Sequence, residues 1–165
     1  MSNSAQNLQM ANVVDPKSAA RLDVFGRAIQ ILTPLTGEQD APCIMRGTIP
    51  PDGIVPLHSH ADPEIFVLMS GELEGLSQRA DGFVWIPVRP GDVFYAPSGV
   101  KHAFRNRWCE PAVCTIVSTV KLGRFFDTIG IPVPAGGERV APPSPERIRR
   151  FLETADAFGY WNASP

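Results

Sequence analysis

Proline and glycine divide this chain into short apolar pieces. There are 17 prolines and 14 glycines in 165 residues, above average usage of roughly 5% and 7%. They bound the hydrophobic segments instead of diluting them. Ala28–Leu32 stops before Pro34, and Cys43–Ile49 is closed by Pro50-Pro51-Asp52-Gly53. Ile54–His60, Glu64–Ser70 and Leu73–Ser77 follow, then Phe83–Val88 after an Asp81-Gly82 hairpin tip, Val93–Ala96 and Ala112–Val120. Brief apolar runs between turn residues are strands, because a proline inside a helix removes a hydrogen bond and clashes with the preceding turn. The chain is therefore mainly β and long enough for one core.

The tail departs from this pattern. Ser144 is a good N-cap and Pro145 suits the first helical position. Ile148, Phe151, Leu152, Ala155 and Phe158 recur at the spacing of one helical face. Gly159 supplies the stop, so a helix is predicted over about 145–158, its stripe most simply covering the outside of the β structure. Residues 123–134 read as loop or a short helical turn.

All three histidines of the chain fall in two tight patterns. His58-Ser59-His60 is followed by three residues and then Glu64, with six more before Gly71. Farther on, Gly91, Pro97-Ser98-Gly99, His102 and Asn106 recur within one short stretch. Alternate residues of a strand share a face, so His58 and His60 present two imidazoles together. Glu64 keeps the same parity if the Asp62-Pro63 break preserves it. Three imidazoles and a carboxylate suit a divalent transition metal. A single buried histidine is more often a hydrogen-bonded core residue, but here every histidine falls at a ligand spacing.

Both patterns resemble the two sequence motifs of the cupins, over roughly residues 41 to 120. One position differs: four residues separate Gly53 from His58, where the family has five. The resemblance implies a double-stranded β-helix, or jelly-roll barrel, with a C-terminal α-helix added here. It also implies one metal ion held by His58, His60, Glu64 and His102, iron(II) being favoured, with manganese, nickel or zinc as alternatives. The expected organisation is an N-terminal arm over 1–26, the barrel over 27–122 and an extension over 123–165. The chain resembles the quercetin dioxygenase-like and acetylacetone dioxygenase-like single-barrel cupins.

A divalent metal with three neutral imidazoles and one carboxylate has a net charge of +1, which suits a bidentate monoanion. Phe66 and Leu68 share the parity of Glu64, and Phe104 that of His102, so these are expected to line the pocket, with Arg46, Tyr95 and Trp85 as further candidates. The expected function is a dioxygenase cleaving a small enolisable or aromatic substrate, with dioxygen as co-substrate and Glu64 as candidate base. An isomerase or lyase and a non-catalytic metal-dependent binding or sensing module are the competing readings.

A net charge of −2 offers no basic face for nucleic acid or anionic membrane. No apolar run approaches the ~18 residues of a membrane span, and the first residues lack a signal-peptide pattern. Three cysteines without a Cys-x-x-Cys point to reduced thiols in a cytoplasmic protein. The apolar outer faces of Ile65, Val67, Met69 and the Ala112–Val120 strand predict a homodimer.

Overall fold

The computed structural model describes residues 11–134 and 142–163. The strands are β1 (Arg21–Val24), β2 (Arg27–Ile31), β3 (Pro42–Ile49), β4 (Ile54–Ser59), β5 (Glu64–Ser70), β6 (Leu73–Arg79), β7 (Gly82–Val88), β8 (Val93–Ala96), β9 (His102–Arg105) and β10 (Ala112–Thr119). Helix α1 (Val120–Ile129), β11 (Ile131–Val133), helix α2 (Pro145–Phe158) and β12 (Trp161–Asn162) complete the order. A seven-stranded sheet runs β11-β1-β2-β3-β10-β5-β8, and a five-stranded sheet runs β12-β4-β9-β6-β7.

Alternation dictates what goes inside. Along β5, Glu64, Phe66 and Leu68 are buried while Ile65 and Met69 are exposed. Along β3, Cys43, Met45, Gly47 and Ile49 turn inward. Partners from β10, namely Ala112, Cys114 and Ile116, fill the space between the sheets with Leu73 and Phe104. Gly71, fixed in the first motif, has φ +78°, and a β-carbon there would stand 2.4 Å from the Pro111 carbonyl oxygen. Only glycine fits both conditions. The buried side chain of Asn106 donates to the carbonyls of Ile49 (3.1 Å) and Glu110 (2.8 Å), so the last position of the second motif is a structural tie.

Three local expectations need correction. Residues 21–24, read as part of the arm, form β1, which hairpins onto β2 with Leu22 opposite Ile29. The turn at Phe25-Gly26 uses positive φ at both residues, 54° and 82°, the tight geometry that matches strand twist. A phenylalanine in that position is an unusual turn residue and hid the hairpin. Second, the region read as loop or helical turn holds the ten-residue helix α1, capped by Thr119, whose side chain accepts from the Leu122 N–H. Leu122, Phe125, Phe126 and Ile129 form its apolar face. Gly123, which looks like a helix breaker, is there because its bare α-carbon meets Leu35 and Cys43; a β-carbon would lie 2.5 Å from Leu35 Cδ2.

Third, α2 spans the expected residues, with Ser144 as N-cap and Gly159 at φ 75° as stop, but it does not simply cover the outside of the barrel. Phe151 packs on Phe25 and Phe125 at ring separations of 5.1 and 6.0 Å, and Phe158 packs on Phe125 at 5.4 Å. The helix seals itself against α1 and the β1–β2 turn, and Ile148, Phe151 and Leu152 of its stripe border the cavity. The cysteines Cys43, Cys109 and Cys114 are free. Among the described residues no helix is long and apolar enough to cross a membrane.

Candidate metal centre

Adjacent strands of the smaller sheet carry His58 and His102, and His60 follows directly on the end of the first. β4 and β9 pair with His58 opposite His102, and an irregularity in register between Val55 and His58 takes up an extra residue on β4. Glu64 opens β5 in the other sheet, opposite Ala96. One ligand atom from each of His58, His60, Glu64 and His102 falls within a set whose members all lie within 4.8 Å of one another. His60, Glu64 and His102 are buried.

Backbone carbonyls orient all three rings. His58 Nδ1 lies 2.7 Å from Pro56 O, His60 Nδ1 2.8 Å from Asp62 O, and His102 Nδ1 2.9 Å from Val100 O. A carbonyl only accepts, so each contact assigns the proton to Nδ1 and turns the Nε2 lone pair inward. There His102 Nε2 meets Glu64 Oε2 at 2.9 Å and His60 Nε2 meets the same oxygen at 3.2 Å. Acceptors facing acceptors at this distance call for a cation between them, either protons or a metal. The donor set therefore fits a divalent transition metal, and the cluster could hold one ion.

The electrostatics follow from the same contacts. Burial pushes His58 down to about 4, helped by the nearby His102. For Glu64, burial alone would raise the carboxyl, but its close contacts with the His102 and His60 rings bring it down to about 2. Burial lowers His60, yet its Glu64 contact and the Asp62 carbonyl leave it above its usual value. The result is an ionised carboxylate at neutral pH beside an unprotonated His58.

A cavity of about 550 Å³ opens from His58, His60 and Glu64. Phe66 and Phe104 line it as expected, their rings 4.4 Å apart. The remaining pocket candidates lie elsewhere. Leu68 is buried in the barrel core and does not border the cavity. Arg46 falls on the outward parity of β3, Tyr95 is 59% exposed, and Trp85 stacks under the Arg105 guanidinium at 4.1 Å. In their place the cavity takes Phe25, Phe125, Phe151, Leu152, Tyr160 and Arg27. Arg27 is the one lysine or arginine among its described lining residues, and desolvation lowers it to about 10. The α2 stripe was the visible signal for Phe151 and Leu152. Nothing local pointed to Tyr160 or Arg27.

Tyr160 binds the loop between the ligands. Its hydroxyl donates to Asp62 Oδ2 at 2.7 Å, and burial together with that bond raises its pKa. The other Asp62 oxygen accepts from the Thr119 hydroxyl.

Residues 45–118 match the family model described as Cupin domain. No curated protein sequence matches the chain. Among solved structures, a predicted oxalate decarboxylase from Thermotoga maritima is 20% identical, covers 66% of this chain and 98% of its own, and superposes with a TM-score of 0.55. A sugar phosphate isomerase from a cupin superfamily, from Silicibacter pomeroyi, is 24% identical over 66% of this chain and 75% of its own, with a TM-score of 0.54. A Cupin 2 conserved barrel domain protein from Salinispora arenicola is also 24% identical, over 70% and 94%, with a TM-score of 0.53. These likenesses show the fold, which is the cupin double-stranded β-helix. The domain match over residues 45–118 agrees with that fold, and the chain carries a candidate metal centre within it.

Proposed function

We propose that this protein is a metal-dependent dioxygenase of a small, largely apolar substrate that binds as an enolate or catechol-like monoanion. The observation that carries the reading is the continuity of one apolar cavity with the ligand cluster. A volume of about 550 Å³ holds on the order of 18 water-sized groups, and most of its wall is phenylalanine, leucine, isoleucine and valine. Oxalate, small and doubly charged, would leave most of such a cavity unfilled. A sugar phosphate would want more cations than Arg27 alone.

A divalent metal held by His58, His60, Glu64 and His102 would supply Lewis-acid polarisation and, if it is iron(II), reactivity toward dioxygen. The chain supplies the rest. The carbonyls at Pro56, Asp62 and Val100 fix the imidazole tautomers, so the histidines act as neutral donors. Glu64 reduces the site charge to +1 and is the nearest carboxylate to take the acidic proton of the substrate. Phe66 and Phe104 hold the substrate beside the ligands and exclude water, which favours encounter with dioxygen over hydrolysis. In the overall reaction both oxygen atoms enter the products as a carbon–carbon bond breaks. The electrons come from the substrate, so no external reductant is needed.

An oxygen electrode run over 1,3-dicarbonyls and flavonols, with the iron, manganese and nickel forms, tests this. Oxygen uptake with carbon–carbon cleavage by the iron form is the expected result. Ligand capture without uptake in any metal form would replace the proposal with a binding module. A cytoplasmic location belongs to the same proposal and draws on the reduced thiols.

A further inference from the structure

The C-terminal segment lies outside residues 45–118, which match the family model, yet it is fastened to β4, which carries His58 and leads directly into His60. β12 pairs with β4, Trp161 opposite Ser59 and Asn162 opposite His58. The Ala163 N–H donates to the Leu57 carbonyl at 2.9 Å. Those are main-chain contacts, which almost any residues at 161–163 could make. The contact at Tyr160 is different, because it depends on a hydroxyl.

Both oxygens of the buried Asp62 carboxylate are held, Oδ2 by the Tyr160 hydroxyl at 2.7 Å and Oδ1 by Thr119. A carboxylate gripped at both oxygens cannot rotate, and its own backbone carbonyl is fixed with it. That carbonyl accepts from His60 Nδ1 at 2.8 Å, which aims His60 Nε2 at Glu64, 3.2 Å away. The Tyr160 ring stands 5.1 Å from the His60 ring. It is held by Phe125 at 4.8 Å and Phe158 at 5.6 Å, while its N–H reaches the Ala155 carbonyl at the end of α2 at 2.8 Å. Packing among these rings needs an aromatic side chain only. The hydroxyl serves Asp62.

We propose that Tyr160 is a positioning residue for metal binding, acting through Asp62 on the orientation and tautomer of His60. The inference rests on the reading of His58, His60, Glu64 and His102 as metal ligands. It makes the C-terminal extension part of the site and not an appendage. Partners that orient a metal-ligating histidine are worth about 10–100-fold in metal affinity, and that is the scale expected here.

The test is titration of the metal-free protein with cobalt(II), whose visible absorption reports the ligand geometry. Wild type, Tyr160→Phe, Asp62→Asn, the double variant and Phe158→Leu are compared. Tyr160→Phe keeps the ring and should bind cobalt about 10–100-fold more weakly, with an altered visible spectrum. Asp62→Asn should lose affinity similarly, and the double variant should be no worse than the weaker single one, since both changes break one chain of contacts. Phe158→Leu loosens the same packing without touching Asp62, so it should lower stability and leave cobalt affinity unchanged. Wild-type affinity and spectrum in Tyr160→Phe would overturn the inference, as would fully additive losses in the double variant. If Tyr160→Phe fails to fold, Asp62→Asn reads the same contact from its other end, and wild-type affinity there overturns the inference too. Absence of cobalt binding by the wild type would instead refute the ligand assignment beneath it.

Discussion

Replacing Leu152 with lysine separates the cavity from the fold. Leu152 sits on α2, borders the cavity and is 47% exposed, so about half of its side chain remains for a ligand to cover. Complete burial of a leucine side chain contributes roughly 1.5–3 kcal/mol, and half of that is about 1 kcal/mol, or close to fivefold in Kd. A charged head at the same place adds a desolvation cost to any apolar ligand, which brings the expected loss to about 5–10-fold. Stability should change by no more than about 0.5 kcal/mol, because the lysine stem can cover the half of the leucine surface that is already buried while its ammonium reaches solvent. For a chain of this length that is a Tm shift of no more than about 2 °C. The assay is fluorescence titration with N-phenyl-1-naphthylamine, an uncharged apolar probe, beside a cobalt titration of the same variant. The account expects weaker probe binding and unchanged metal binding. Probe affinity equal to wild type would mean that α2 does not border the ligand space, and the reasoning about substrate size would fall with it.

Phe104, 1% exposed and packed 5.0 Å from Phe94, should cost about 3 kcal/mol when changed to alanine, the low end of the usual range because its ring already borders a cavity; urea unfolding measures this. In the metal-free protein, stability should fall as pH is lowered from about 6.5 toward 2. His58, depressed to about 4, lets the unfolded chain take up a proton first between 6.5 and 4, and Glu64, depressed to about 2, does the same below its usual range. His60 is raised and acts in the opposite sense, its contribution being lost as pH rises through its folded pKa, so His58→Ala should flatten the fall between 6.5 and 4 in pH-dependent urea midpoints. The exposed side chains of Ile65, Met69, Val93 and Tyr95 on the larger sheet make a homodimer our proposed assembly. Light scattering that stays monomeric across a wide concentration range would remove it.

The parts legible in the sequence were those written at fixed short intervals. His58, His60, Glu64 and His102 are converged by strand parity and two turns, and the structure brings their ligand atoms together. Parity also gave the inward faces of Phe66 and Phe104. It bore on Arg46 as well, since Met45 is buried and its neighbour must point out; the search for a cation in the pocket outweighed that rule. Helix α1 was hidden by Gly123, whose reason for being there is close packing against Leu35 and Cys43, a tertiary fact. Tyr160 and Arg27 reach the cavity from opposite ends of the chain, and no local periodicity encodes such a meeting.

Elemental analysis of protein purified without a metal-chelating column tests the central claim most directly. Wild type should carry close to one divalent transition metal per chain, and a His60→Ala, His102→Ala variant that remains folded by circular dichroism should carry almost none. Equal metal content in the two proteins, or none in wild type after incubation with iron(II), manganese(II) and nickel(II), would contradict it.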